Sequence, residues 1–146
     1  YVEDIHWRTT TLKTLQNNRV LVPNEKLDKA LVTNYYLPNK EIVVLVQIAV
    51  QYDSDLKKVE NITCEIAREV LQDVSGGVPH FEPLIRYHTL GDFSIHFTVT
   101  LRAKEFADQH LMKHEFIKRL HARYKKEGIV IPYPIRAINY QQEKTE

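Results

Sequence analysis

From Glu41 onward the sequence predicts an α+β fold with the order β-α-β-β-α-β, the ferredoxin-like split βαβ arrangement. Three observations predict it. IVVLVQIAVQY, Ile42 to Tyr52, is a near-continuous β-branched run, as expected of a strand buried on much of both faces. Leu56, Val59, Ile62, Ile66 and Val70 then recur at helical spacing, with Lys57, Lys58, Asn61, Glu65, Arg68 and Gln72 on the opposite side. Finally, Gly91-Asp92 separates two β-favouring runs, Glu82 to Leu90 and Phe93 to Arg102, as a hairpin signal does.

The elements follow in order. VEDIHWRTTTLKTLQNNRVLVPN alternates β-favouring residues around the turn signal Gln16-Asn17-Asn18, which predicts two or three short strands. Pro23-Asn24 stops the last of them, Glu25 to Ala30 is one helical turn, and Leu31 to Tyr36 is another short strand. Leu37-Pro38-Asn39 is a linker. Asp53 or Ser54 caps the first long helix, which ends near Ser75-Gly76-Gly77. Parity argues for a three-residue hairpin loop, Gly91 to Phe93, which pairs Ile85, Tyr87 and Thr89 with Val99, Phe97 and Ile95. The same register sets His88 against His96. A second helix, from about Lys104 to Lys126, places Phe106, Phe116, Ile117, Leu120 and Tyr124 on one stripe and stops at Gly128. GIVI is a strand, broken by Pro132 and Pro134, which have no N–H to offer a sheet ladder. Ile135 to Tyr140 is a further strand, and QQEKTE a frayed polar tail.

Composition narrows the function classes. The chain has 146 residues, 43% hydrophobic and 27% charged, which is ordinary for a globular protein, and a formal net charge of +1. That charge gives no electrostatic case for a strong nucleic-acid or anionic-membrane binder. A single cysteine, Cys64, makes no internal disulfide, which fits a reducing compartment. The longest apolar run is far short of the roughly 20 residues that span a bilayer. The chain opens at Tyr1, mid-pattern, as an excised piece of a longer protein does.

Candidate chemistry is sparse. Among seven histidines, His110, His114 and His121 fall along one helix flank, but no third or fourth zinc ligand is evident, and a solvated flank accounts for them better. Asp53/Asp55 and Glu3/Asp4 fit a helix cap and a strand end better than an acid/base pair. The four glycines form no phosphate-cradling motif. Tyr35, Tyr36 and Tyr87 lack the basic surround of a base-stacking surface. No enzyme motif is present, and no cofactor or metal is called for.

Four segments in this order and at these spacings resemble the cytoplasmic region of MscS-type small-conductance mechanosensitive channels. They are VEDIHWRTTTLKTLQNNRVLVPNEKL, ALVTNYY, IVVLVQIAVQYDSD with its following helix, and KKEGIVIPYP. The resemblance implies a partial Sm-like β-domain over residues 1–37, a ferredoxin-like α/β domain over 41–132, and a barrel strand with a polar tail over 133–146. Residues matching the family's motifs are Thr10, Thr11, Pro23, Asn24 and Asn34 in the β-domain, and Gly128, Pro132 and Pro134 at the end, all in structural roles. It further implies a soluble piece of an integral membrane protein on the cytoplasmic side. Its partners would be other copies of itself, typically in a heptamer, the transmembrane helices of the same chain, and the ions and small osmolytes filtered through side openings. Two alternatives stand beside it: a stand-alone ferredoxin-like small-molecule sensor, and an Sm-like RNA-binding ring, which the near-neutral charge disfavours.

Overall fold

The computed structural model describes residues 1–134, which divide into two compact units, Tyr1–Asn34 and the chain from Tyr35 on. In the first unit, β1 (Val2–Ile5), β2 (Thr9–Lys13) and β3 (Arg19–Pro23) form an antiparallel meander, followed by the single turn of α1 (Asn24–Asp28). Asn17 turns the β2–β3 hairpin with a left-handed φ of 65°, a conformation asparagine tolerates better than most residues. Register puts Ile5, Thr10 and Val22 in one cross-strand row, and Asp4, Thr11 and Leu21 in the next. Alternation therefore makes one face apolar, with Ile5, Leu12, Val20 and Val22, and the other polar apart from Leu21. The strand expected over Leu31 to Tyr36 does not form, and the segment is irregular. Among the described residues no strand pairs with it, and local β-propensity alone does not hold an extended segment in place.

The second unit is built on β4 (Ile42–Val50), α2 (Leu56–Asp73), β5 (Leu84–Leu90), β6 (Ile95–Ala103) and α3 (Asp108–Glu127). Its antiparallel sheet has the order β4-β6-β5. The α+β class is thus as the sequence predicts. Val44, Val46, Val50, Ile85, Ile95, Phe97, Val99 and Leu101 face the buried stripes of both helices: Val59, Ile62, Ile66 and Val70 of α2, and Met112, Phe116, Leu120 and Tyr124 of α3. Across the helix pair, Arg119–Asp73 at 2.8 Å and Lys58–Glu127 at 3.4 Å add exposed ion pairs of modest strength.

Several details differ from the sequence expectation. β4 is not buried on both faces: Val43 and Leu45 are 53% and 54% exposed, because both helices lie on one side of an antiparallel sheet. Asp55, rather than Asp53 or Ser54, caps α2, its carboxylate accepting from the N–H groups of Lys57 and Lys58. In α3 the core position expected for Ile117 belongs to Met112. The β5–β6 register holds at Ile85↔Val99 and Tyr87↔Phe97, but a bulge at His88 then pairs Thr89 with His96 and Leu90 with Ile95. His88 and His96 are therefore not opposed. Each contacts a nearby hydroxyl instead, Thr89 Oγ1 at 2.7 Å and Ser94 Oγ at 3.0 Å. After α3, Gly128 adopts the left-handed conformation, φ 71°, and stops the helix as expected. GIVI does not extend into a strand within the described residues; one backbone bond, Gln51 N to Val130 O at 3.3 Å, lays it beside the end of β4. Pro132 ends any ladder there, since it has no N–H. The strand expected over Ile135 to Tyr140 lies outside the described residues.

Candidate functional site

The first unit has little interior, and its polar contacts converge on one bend. β1 turns into β2 through His6-Trp7-Arg8, where His6 N–H donates to Thr9 O at 2.8 Å. Asn24, at the start of α1, clamps that bend from three sides. Its side-chain NH₂ donates to His6 O at 2.9 Å and Trp7 O at 3.2 Å, and its backbone N–H to Arg8 O at 2.9 Å. Its amide oxygen accepts from Thr10 Oγ1 at 2.8 Å. Thr10 is 6% exposed, and it is the only residue of this unit that is buried. Trp7, on the clamped bend, is 95% exposed.

Thr10, Pro23 and Asn24 are thus brought together, Pro23 standing opposite Thr9 at the end of the β2–β3 ladder. Thr11 pairs with Leu21 and lines a groove of about 370 Å³ with Glu3, Asp4, His6 and Arg19. In that groove the Arg19 guanidinium grips Glu3 through two bonds, 2.7 and 2.9 Å, and holds its carboxyl below the usual carboxylate range. Asn34 lies in the irregular segment after α1. Gly128 sits at the C-terminus of α3, its N–H and that of Ile129 both donating to Tyr124 O. Pro132 and Pro134 follow in an irregular stretch. Between α3 and that returning chain is a cleft of about 400 Å³ lined by His121, Tyr124, Lys125 and Tyr133 among others.

Among the described residues, no arrangement resembles catalytic machinery. Among the described residues, no group of three or more His, Cys, Asp or Glu side chains is placed to hold a metal ion, and the three α3 histidines do not converge. Burial pushes the Cys64 thiol up, away from a reactive thiolate. No described helix is long and apolar enough to cross a membrane. The exposed Trp7-Arg8 bend and the uncovered apolar face are features the sequence reasoning missed. A lone tryptophan next to an arginine, between two strands, was the available signal.

The architecture is that of the MscS cytoplasmic domain: Helicobacter pylori MscS in its closed state superposes with a TM-score of 0.79 at 19% identity, over 97% of this chain and 54% of that one. Arabidopsis thaliana MSL1 gives a TM-score of 0.67 at 18% identity, over 92% of this chain and 48% of that one. Sequence carries the assignment beyond fold. Residues 44–131 match the model of the mechanosensitive ion channel MscS C-terminal domain, and residues 1–43 that of the mechanosensitive ion channel beta-domain. The chain belongs to the MscS family of mechanosensitive ion channels, a family of channels and not of enzymes. It is 26% identical to an uncharacterized MscS family protein of Archaeoglobus fulgidus, over 98% of this chain and 48% of that protein. To the small-conductance mechanosensitive channel MscMJ of Methanocaldococcus jannaschii it is 20% identical, over 97% of this chain and 40% of that protein. The chain therefore spans less than half the length of these curated relatives.

Proposed function

We propose that this chain is the cytoplasmic vestibule and assembly region of an MscS-like channel. Copies pack into a ring, a heptamer in the full-length channel, and the openings between them filter ions and small osmolytes on their way to the pore. Membrane tension is sensed by helices elsewhere in the channel. Thr10, Pro23, Asn24, Thr11 and Asn34 shape the first unit for packing. Gly128, Pro132 and Pro134 end the second.

The observation that carries this reading is the uncovered face of the first sheet. On it Val2, Ile5 and Val20 are exposed, and no hydrophobic residue of Tyr1–Asn34 is buried. So small a unit does not hold together without burial supplied from outside it. Other copies supply it in a ring. With a net charge of +1, the filter rests on local charge at the openings rather than on an overall field.

Sedimentation velocity on the 146-residue chain tests assembly: one defined oligomer is expected at micromolar concentration, while a monomer that binds a small molecule saturably would instead favour the sensor alternative. In patch recordings of the full-length channel, charge reversals at exposed positions of residues 41–134 should alter cation/anion preference and leave the tension threshold in place. Selectivity untouched by all of them would remove the filtering role.

A further inference from the structure

The Trp7-Arg8 bend is exposed yet rigid, and a groove of matching chemistry lies on the polar face of the same sheet. We propose that Trp7 and Arg8 form a knob that seats in the Glu3/Asp4/Leu21 groove of a second copy of this chain. The proposal rests on the ring reading above and names the contact through which the first units associate.

Rigidity is the first argument. Three bonds from Asn24 and one from His6 fix the backbone of the bend, so little conformational freedom remains to be lost when it docks. A tryptophan so held at 95% exposure presents one of the largest apolar surfaces available to a side chain, roughly 150–250 Å². Tryptophan and arginine are also the residue types that most often anchor protein interfaces.

The groove supplies the complement. Leu21, two-thirds exposed, is the apolar residue of its lining, and the groove has a volume of about 370 Å³. Glu3 is paired with Arg19, whereas Asp4 accepts from the Ile5 N–H at 2.8 Å, lies 3.3 Å from the His6 ring and, among the described residues, has no Lys or Arg paired to it. Asp4 thus offers the groove a carboxylate without a lysine or arginine partner. Arg8 carries the opposite charge and, among the described residues, has no carboxylate within 4.0 Å. Knob and groove are different patches of one surface, so their contact is head to tail, and head-to-tail contacts generate rings when the rotation closes.

Trp7 is the only tryptophan, so its fluorescence reports on the knob directly. As the wild-type chain is diluted and its mass in sedimentation falls from ring to monomer, the emission should shift to the red in step. Arg8→Glu and Asp4→Lys should each weaken association by about tenfold or more, and the double variant R8E/D4K should recover a large part of the loss. Circular dichroism checks that each variant keeps the wild-type fold. A wild-type ring whose mass and emission neither charge reversal changes would overturn the knob and groove while leaving the ring standing. Emission that is blue-shifted at every concentration would also overturn it, by placing the indole against its own chain. So would emission that shifts only on adding phosphatidylglycerol vesicles, which would make the bend a lipid contact. A wild-type chain that stays monomeric at all concentrations would remove the ring and the contact together.

Discussion

Tyr124 and Thr63 show how a buried polar pair is handled within the core of the second unit. Thr63 donates to the Val59 carbonyl one turn back at 2.6 Å, and its hydroxyl lies 2.6 Å from Tyr124 Oη. With the threonine proton engaged by Val59, Tyr124 is the donor of the second bond, and the two changes that break it are unequal. Tyr124→Phe leaves Thr63 bonded and should cost about 0.5–1.5 kcal/mol, whereas Thr63→Val strands the buried phenol and should cost about 1–3 kcal/mol. Urea unfolding of the two variants checks the order. Burial also pushes the Tyr124 pKa up to about 12, against about 10 in an unfolded chain. Between those values the unfolded chain has released a proton that the folded chain keeps, so stability is full below pH 10 and falls as pH rises toward 12. At pH 11 the difference amounts to about 1 kcal/mol, and wild type should lose that much more than Tyr124→Phe between pH 9 and 11. Tyr87, raised to about 12 by its own burial, is present in both proteins and cancels.

At the scale of elements, α2 depends on Asp55, whose Oδ1 accepts from Lys57 N at 2.9 Å and Lys58 N at 3.1 Å. Asp55→Ala should lower stability by about 1 kcal/mol, read as a fall in the urea midpoint with an unchanged slope. A change to Asp53 should do far less, although the sequence favoured Asp53 or Ser54 as the cap. Patterns that repeat along the chain were legible: the α2 stripe, the Gly128 stop and the Ile85–Tyr87 register all follow from period and parity. What escaped was set by single local contacts or by absent neighbours. One extra residue at His88 shifts the pairing beyond it, and hydrophobicity does not encode such a bulge. Val43 and Leu45 look like core residues in sequence, because apolar character states an affinity without saying what stands opposite. The same holds for the clamp on Trp7: Thr10 and Asn24 were singled out as motif residues, but only the fold shows that Asn24 reaches back to the carbonyls of His6 and Trp7.

For the whole molecule, stability is concentrated in one place. Among the described residues, every buried hydrophobic residue lies between Val44 and Tyr124, whereas the unit Tyr1–Asn34 buries only Thr10. The two units should therefore respond differently when separated. A fragment beginning at Tyr35 retains the whole of that core, and should unfold in urea as a single cooperative transition with a midpoint independent of protein concentration. A peptide of residues 1–34 buries too little apolar surface to offset the cost of ordering its backbone, and alone it should show the circular dichroism of a coil with no cooperative transition. In the intact chain, folding of the first sheet is then linked to association, because whatever covers its apolar face binds the folded form and not the unfolded one. The sheet's signal should consequently appear and disappear with the oligomer, at a midpoint that rises with protein concentration. A 1–34 peptide that unfolds cooperatively by itself at micromolar concentration, monomeric throughout, would break that linkage and remove the reason for assigning the first unit to assembly.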